Sequence, residues 1–278
     1  MNFRILNLRQ LSSGGHGDLF IGQRSDSGED VVIKYLRECQ LPEARQAFAR
    51  EVRVLGRGLR GLVPIIFADI ETERPFYVMP HMKGGTLTGY SGRLTAGQLQ
   101  NVAAELAVTL AALHSSWVSH GDLKPANILV SHDGELRVAD PLGNGFGCTV
   151  LFSRNHGGTP GYWAPEIRAG APISHAGDVY SFGATLYELL TGRKPIDDHP
   201  FNFIGAAHAP KIREIIAACC LVDPDARPSI EEVLRMVGGA AWADIQLTRK
   251  QRNEFVSAVS TIGIAGLLLY GFSRLSRA

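Results

Sequence analysis

The sequence HGDLKPANIL, at residues 120–129, combines a carboxylate, an amine and an amide within six residues. These groups belong to Asp122, Lys124 and Asn127, and a further carboxylate, Asp140, follows 18 residues after Asp122. A carboxylate can orient a substrate hydroxyl, an ammonium group can offset negative charge, and hard oxygen atoms are the ligands that Mg²⁺ prefers. The spacing therefore favours a catalytic loop over a polar loop without a function.

A glycine-rich turn and a lysine on an apolar strand precede this stretch. Gly14 and Gly17 lie between Leu11 and a predicted strand that starts at Leu19. Residues without a Cβ can bring backbone N–H groups close to phosphate oxygens, although a simple hairpin turn has the same composition. Lys34 follows 17 residues after Gly17 in the apolar run VVIK, where a buried ammonium needs a partner.

The hydrophobic pattern changes along the chain and predicts an α+β fold. The N-terminal third reads as short strands around one helix, and the rest reads as mostly helical. The predicted strands are at 19–23, 30–36, 65–70 and 75–80, and the predicted helices are at 42–58, from 97 onward, at 178–195 and at 229–239. The sequence thus predicts a small β-rich lobe followed by a larger helical lobe.

Composition excludes several classes of protein. The chain has 278 residues, of which 45% are hydrophobic and 20% are charged, so it can form one large domain or two lobes. Lys and Arg number 28 against 27 Asp and Glu, and a net charge of +1 gives no global electrostatic reason for nucleic-acid binding. Four cysteines without a CxxC pair indicate a reduced setting rather than a disulfide framework.

Seven segments occur in the order found in eukaryotic-like, bacterial-type Ser/Thr protein kinases, and the sequence resembles that family over about residues 8–238. The segments are LSSGGHGDL, VVIK, HGDLKPANIL, ADPLG, GTPGYWAPE, DVYSFG and DARPS. The resemblance implies a two-lobed kinase domain over residues 1–238. Its predicted parts are an N-lobe (1–79), a hinge (80–84) and a C-lobe (85–238).

The resemblance also implies a reaction, which is transfer of the γ-phosphoryl group of Mg·ATP to Ser or Thr hydroxyls of proteins. Asp122 would orient the hydroxyl, and Lys124 would offset charge on the transferred group. Asn127 and Asp140 would be the Mg²⁺ ligands. Lysine two residues after the aspartate resembles the Ser/Thr-directed version of this loop rather than the tyrosine-directed one.

ATP would bind between the lobes, according to the same resemblance. Lys34 would contact the α- and β-phosphates and pair with Glu51 of the 42–58 helix. The hinge segment at 80–82 would offer backbone groups to the base, and Met79 would be the gatekeeper. The remaining nucleotide-binding residues would be Leu11, Gly14, Gly17, Leu19, Val32, Met82 and Leu129.

Three further interactions are implied by the family motifs. Thr159 would brace the catalytic loop next to the substrate groove. Glu166 would form a buried ion pair with Arg227, and Asp178 would hold the backbone of the catalytic loop.

The sequence departs from the family pattern at three places. Gly121 replaces the arginine that normally grips an activation-loop phosphate, so we expect that phosphorylation at Thr149 or Ser153 is not needed for activity. Asp140 is followed by Pro141-Leu142-Gly143 instead of Phe-Gly, which predicts a stiffer turn because proline fixes φ. Ser12 takes the place of the first glycine of the glycine-rich loop.

Two other functions have sequence features in their favour. The HGD triplet also occurs in small-molecule phosphotransferases of the aminoglycoside-kinase and choline-kinase type, although GTPGYWAPE, DVYSFG and DARPS resemble the protein-directed version. A membrane-tethered pseudokinase scaffold is the second alternative. Retention of all six polar residues, namely Lys34, Glu51, Asp122, Lys124, Asn127 and Asp140, favours catalysis.

The C-terminal region contains 18 residues without a charge, from Phe255 to Phe272. A helix of that length spans about 27 Å, close to the hydrocarbon thickness of a bilayer. We therefore expect a connector at 239–254, a transmembrane helix at 255–273 and a cytoplasmic kinase domain; a terminal helix packed on a cytoplasmic protein is the alternative. The expected partners are protein substrates and, through this helix, membrane proteins, but no nucleic acid.

Overall fold

The computed structural model describes residues 3–14, 17–142, 160–196, 201 and 209–238. Its N-terminal part is a five-stranded antiparallel sheet with the order β1-β2-β3-β5-β4. The strands are β1 (Ile5–Gly14), β2 (Gly17–Arg24), β3 (Asp30–Tyr35), β4 (Phe67–Asp69) and β5 (Phe76–Pro80). Four of these strands agree with the predicted ones, and β1 is an additional strand.

Helix α1 (Pro42–Leu55) lies between β3 and β4 in the chain. It begins with proline at its first turn and ends before Gly56, three residues earlier than the predicted end. Its buried positions include Phe48, Glu51 and Leu55, which recur at the three- and four-residue spacing of one helix face. Glu51 is therefore on the apolar side of the helix, where its carboxylate requires a partner.

Helices form most of the C-terminal part. They are α2 (Ala96–Ser115), α3 (Pro165–Arg168), α4 (His175–Thr191), α5 (Pro210–Cys219) and α6 (Ile230–Val237). The sheet with α1 and this helical part match the predicted α+β fold with a small β-rich lobe and a larger helical lobe.

Capping residues explain where two of these helices begin and end. Helix α4 is shifted towards the N-terminus relative to the predicted 178–195, because Ser174 accepts a hydrogen bond from Gly177 N at its start. Gly192 ends the helix in the left-handed conformation with φ 71°. Helix α6 begins at the predicted cap, where Ser229 and Glu232 form a capping box.

A short hairpin positions the ends of the two motifs that carry chemistry. Strand β6 (Ile128–Val130) pairs antiparallel with β7 (Leu136–Val138), so the residues before β6 and after β7 lie side by side. Ala139 N donates to Asn127 O at 2.8 Å. The hairpin is joined to the segment after α1 by a bond from Val63 N to Val138 O at 3.0 Å.

Within the described residues, no helix is long and apolar enough to cross a membrane. The predicted connector at 239–254 and the predicted transmembrane helix at 255–273 lie outside the described residues.

Candidate active site

Lys34 is the centre of the site and binds two carboxylates from distant parts of the chain. Its Nζ lies 2.7 Å from Glu51 Oε1 and 2.8 Å from Asp140 Oδ1. Lys34 is on β3, Glu51 is on α1, and Asp140 follows β7. The lysine is 3% exposed, so the two carboxylates provide the partners that a buried ammonium group requires. The predicted pairing of Lys34 with Glu51 is present in the structure.

The charges of this cluster shift one another. Burial works against the charged form of Lys34, but the carboxylates of Asp140 and Glu51 outweigh it and raise the pKa of the ammonium group above its ordinary value. Burial raises the pKa of Glu51, and Lys34 offsets only part of that effect. Lys34 is therefore a fixed positive charge, whereas the ionisation of Glu51 depends on the hydrogen bonds that reach it.

The three polar residues of the catalytic loop form a second cluster. Lys124 Nζ lies 2.8 Å from Asp122 Oδ2. Asn127 Nδ2 donates to the same oxygen at 2.9 Å and to the backbone oxygen of Asp122 at 2.8 Å. Asp122 is 5% exposed, so its carboxylate is held in one orientation before any substrate arrives.

Asp178 of α4 holds the backbone of this loop, as the sequence predicts. Its carboxylate accepts from His120 N at 2.7 Å and from Gly121 N at 2.8 Å. His114 Nε2 lies 2.9 Å from the same carboxylate. Asp178 is 1% exposed, and the three polar partners compensate for its burial. The catalytic loop is thus fixed to a buried helix through its backbone.

The turn that contains Asp140 is bound to the same loop. Leu142 N donates to His120 O at 2.8 Å, and His120 Nε2 lies 3.0 Å from Ala139 O. Asp140 has φ 58°, the left-handed conformation that residues other than glycine rarely adopt. The turn with Pro141 therefore directs the Asp140 carboxylate towards Lys34.

Asn127 and Asp140 fit a magnesium site in which the protein supplies some of the metal ligands and a phosphate supplies others. The two hydrogen bonds from Asn127 Nδ2 to Asp122 turn the amide oxygen of Asn127 away from that residue. Among the described residues no group of three or more His, Cys, Asp or Glu side chains could hold a metal. Mg²⁺ in phosphoryl-transfer sites commonly takes one or two protein ligands and completes its shell with phosphates and water. These two residues therefore suit Mg²⁺ bound together with a nucleotide.

Gly17, at the start of β2, lies close to the side chain of Lys34. Gly14 pairs with Gly17 at the end of the β1–β2 ladder. A Cβ on Gly17 would lie 2.6 Å from Tyr35 O and 3.3 Å from Lys34 Cγ. Glycine is required at position 17 because any side chain would push the hairpin away from Lys34.

The predicted adenine contacts lie in one region beside the lysine. Val32 pairs with Met79 across β3 and β5, and both are buried. Leu19 pairs with Lys34 across β2 and β3, and Leu129 bridges to the segment after β5. Both leucines are partly buried and pack against the core cluster that contains Val32 and Met79.

Two other predicted nucleotide contacts lie at the margin of this region. Leu11 on β1 is 48% exposed. Met82 is partly buried and follows β5, where its carbonyl accepts from Gly85 N at 3.1 Å. The structure thus brings the polar residues together in two clusters, one of Lys34, Glu51 and Asp140 and one of Asp122, Lys124 and Asn127, while Leu11 lies on an exposed part of its strand.

Comparisons with known proteins identify the family of the chain. The protein kinase domain model matches residues 6–237. The chain belongs to the protein kinase family. The chain is 33% identical over 210 residues to the serine/threonine-protein kinase Pkn1 of Myxococcus xanthus. It is 34% identical over 251 residues to the serine/threonine-protein kinase PkaA of Streptomyces coelicolor. The predicted resemblance is confirmed.

These relatives are longer proteins than this chain. The match covers 71% of this chain but 30% of Pkn1, and 82% of this chain but 45% of PkaA. The serine/threonine-protein kinase PknA of Nostoc is 31% identical over 243 residues, which is 76% of this chain and 42% of that protein. The chain therefore spans less than half the length of each of these relatives.

The predicted ion pair between Glu166 and Arg227 is present. Arg227 binds both oxygens of Glu166 at 2.7 and 2.8 Å, and its side chain has 0% exposure. Two parallel bonds of this kind fix the geometry as well as the charge. Thr159, which the family motif places beside Asp122, lies outside the described residues, as do Thr149 and Ser153.

Gly121 explains how this kinase domain accommodates the loss of the usual arginine. It has φ 80°, and a Cβ at this position would lie 2.6 Å from Ile173 Cδ1. The space beside Asp122 is therefore filled by an apolar side chain from the segment before α4.

Sequence reasoning missed two residues that contact the charged groups of the site. His114 binds Asp178, and the hydroxyl of Tyr77 donates to Glu51 Oε1 at 2.7 Å. His114 lies next to the buried Leu113 on the helix predicted from residue 97 onward, and the available signal was a histidine among buried helical positions, which needs a polar partner. Tyr77 lies within the strand FYVMP and is indistinguishable there from an ordinary core aromatic.

Proposed function

We propose that this kinase domain transfers the γ-phosphoryl group of Mg·ATP to Ser or Thr hydroxyls of proteins. The observation that carries the proposal is the double contact of Lys34, whose Nζ reaches both Glu51 and Asp140 within 2.8 Å. Kinases require the lysine–glutamate pair and the metal-binding aspartate to be in place at the same time. Both conditions are met in this arrangement.

The proposed reaction gives each polar residue a role. Lys34 would bind the α- and β-phosphates. Asp122 orients the hydroxyl that attacks phosphorus; the new oxygen–phosphorus bond forms as the bond to the ADP oxygen breaks, and the hydroxyl proton passes to this carboxylate. Lys124, already 2.8 Å from Asp122, offsets negative charge on the group in transit.

Magnesium would be held by Asn127 and Asp140, and when bound it neutralises charge on the β- and γ-phosphate oxygens. Leu19, Val32 and Leu129 would enclose the adenine. These apolar residues exclude water from one side of the nucleotide, which strengthens the electrostatic contacts beside them.

A protein substrate is supported by two observations. Lys124 stands two residues after Asp122, the spacing that resembles the Ser/Thr-directed loop. The relatives of the chain that are named above are serine/threonine-protein kinases by name.

A transfer assay with three types of acceptor tests the proposal. Radiolabelled ATP is supplied with Mg²⁺ and a generic protein, an aminoglycoside panel or choline, and the Asp140→Asn variant serves as the blank. Label on Ser or Thr of the protein is expected. Label on a small molecule would assign the chain to the small-molecule phosphotransferases, and nucleotide binding without transfer would make it a pseudokinase.

The 255–273 segment supports a proposal about location. Its 19 uncharged residues, preceded and followed by arginines, suit a single membrane pass with the kinase domain in the cytoplasm, where membrane-protein partners could be met. Deletion of residues 255–273 is expected to move the protein from the membrane fraction to the soluble fraction. Unchanged pelleting of a well-folded deletion variant would contradict the tether.

A further inference from the structure

A buried tyrosine hydroxyl lies against the catalytic lysine–glutamate pair. Tyr77 on β5 is 0% exposed, and its hydroxyl donates to Glu51 Oε1 at 2.7 Å. Lys34 Nζ binds the same oxygen at the same distance of 2.7 Å. One carboxylate oxygen of Glu51 therefore receives a charged donor and a neutral donor at once.

The sheet and helix α1 both hold the ring of Tyr77 in place. Tyr77 is directly opposite Lys34 in the β3–β5 ladder, and Lys34 Nζ lies 5.8 Å from the centre of its ring. Phe48, three residues before Glu51 on α1, packs on the ring with 5.6 Å between the ring centres. Tyr77 thus contacts the strand that carries the lysine and the helix that carries the glutamate.

The ionisation states of Tyr77 and Glu51 suit a hydrogen bond in which the tyrosine donates and the glutamate accepts. Burial, and then the negative charges of Glu51 and Asp140, raise the pKa of Tyr77 well above its ordinary value, so the hydroxyl keeps its proton and acts as a donor. Burial also raises the pKa of Glu51, and the bonds from Lys34 and Tyr77 oppose that rise. The hydroxyl therefore favours the charged form of the glutamate.

Apolar packing alone does not account for the hydroxyl. The neighbours of Tyr77 on β5 are Phe76, Val78 and Met79, and a phenylalanine would fill the ring position equally well. A buried hydroxyl costs free energy unless it is hydrogen-bonded, and the bond it makes is to a residue of the catalytic pair.

We propose that Tyr77 is a positioning residue for phosphoryl transfer, which keeps the Glu51 carboxylate directed at Lys34 and so keeps α1 docked on the sheet. The inference rests on the proposed function, because it assigns Tyr77 a role in that reaction. Tyr77 does not contact the nucleotide in this role and acts through Glu51 and Lys34.

The first test removes only the hydroxyl, in the variant Tyr77→Phe. We expect kcat/KM for ATP to fall about tenfold, near the lower end of the effect of losing a hydrogen bond to a charged group. Tyr35→Phe is the matched control, since Tyr35 lies on the neighbouring strand β3 and packs with the cluster on the other face of the sheet. It should change kcat/KM less than about twofold.

The pH profile gives a readout that a purely structural role would not move. Without the hydroxyl, Glu51 faces only Lys34 and, beyond it, the negative charge of Asp140, so its pKa should rise. The acid limb of kcat/KM should therefore shift to higher pH in Tyr77→Phe and stay in place in Tyr35→Phe. An unshifted limb would contradict the inference.

A double-mutant cycle shows whether Tyr77 acts through Glu51. The variant Glu51→Met keeps the length of the side chain but has no acceptor, so adding Tyr77→Phe to it should cost less than about twofold. Equal effects of Tyr77→Phe with and without Glu51 would overturn the inference.

The outcomes separate this inference from the proposed function. If the wild type phosphorylates protein and Tyr77→Phe is fully active, the positioning role is wrong and the function stands. If the wild type transfers nothing, the same cycle is measured on binding of a non-hydrolysable Mg·ATP analogue. Coupling between Tyr77 and Glu51 in binding would then support the positioning role although the proposed function had failed, and its absence would refute both.

Discussion

Replacement of Arg227 by methionine should destabilise the domain more than any exposed charge change. The guanidinium makes two bonds to Glu166 and three to backbone oxygens of Ala176, Leu221 and Val222, with distances of 2.7–3.1 Å. The variant leaves three carbonyl groups and one carboxylate without their donor. Loss of one partner of a buried pair costs about 3–5 kcal/mol, which corresponds to a fall in Tm of roughly 6–20 °C for a domain of this size.

Urea unfolding followed by far-UV circular dichroism measures this loss as a lower midpoint at constant m-value. Arg235→Met is the matched control, because the Arg235 side chain is 70% exposed and lies 3.8 Å from Glu232. An exposed pair of this kind contributes about 0–1 kcal/mol. If Arg227→Met lowers the free energy of unfolding no more than Arg235→Met does, the pair of Arg227 and Glu166 does not stabilise the domain, and the reasoning is refuted.

Three further predictions concern the site and its surroundings. Lys34→Met should lower the rate of phosphoryl transfer by about a hundredfold or more, because it removes the charge that faces the phosphates, and a folded variant with near-normal transfer in the radiolabel assay would contradict this. Gly121→Arg should lower the free energy of unfolding by about 1–3 kcal/mol in urea titrations, because position 121 has φ 80° and Ile173 fills the adjacent space. An unchanged midpoint would contradict this and show that the segment before α4 moves to accommodate the side chain. The double variant Thr149→Ala/Ser153→Ala should keep more than about a tenth of wild-type transfer, since no arginine at position 121 awaits a phosphate; a larger loss would show that loop phosphorylation organises the site.

Helices α1, α2, α4 and α6 were predictable because their hydrophobic pattern and their start or stop signals are local, whereas the four-residue helix α3 was not predicted. Ser229 with Glu232 marks the start of α6, and Gly192 ends α4. Strand β1 was not predictable in the same way, because its pairing with β2 contains two register shifts and Asn7 has φ 54°. These irregularities break the alternation of side chains on which strand prediction depends.

The charged part of the site was predictable from the resemblance to protein kinases, and at Lys34 the need of a buried ammonium group for a partner supported it. Lys34 lies on an apolar strand and Glu51 on the buried face of α1, and they meet at 2.7 Å. Tyr77 could not be found by this reasoning, since an aromatic residue in a strand needs no explanation and the direction of its hydroxyl depends on how α1 packs. An uncharged contact of this kind leaves no signal in a single sequence.

The two halves of the site are held by different kinds of contact. The loop that contains Asp122 is fixed to α4 mainly by the backbone N–H groups of His120 and Gly121, which every residue type except proline would supply, so glycine in place of arginine does not loosen it. The half of the site around Lys34 depends on side chains, because Lys34 and Tyr77 both bind Glu51 through their terminal atoms. A displacement of α1 would break those contacts and leave the loop intact. Activity should therefore respond more strongly to changes at the interface between α1 and the sheet than to changes of the side chain at position 121.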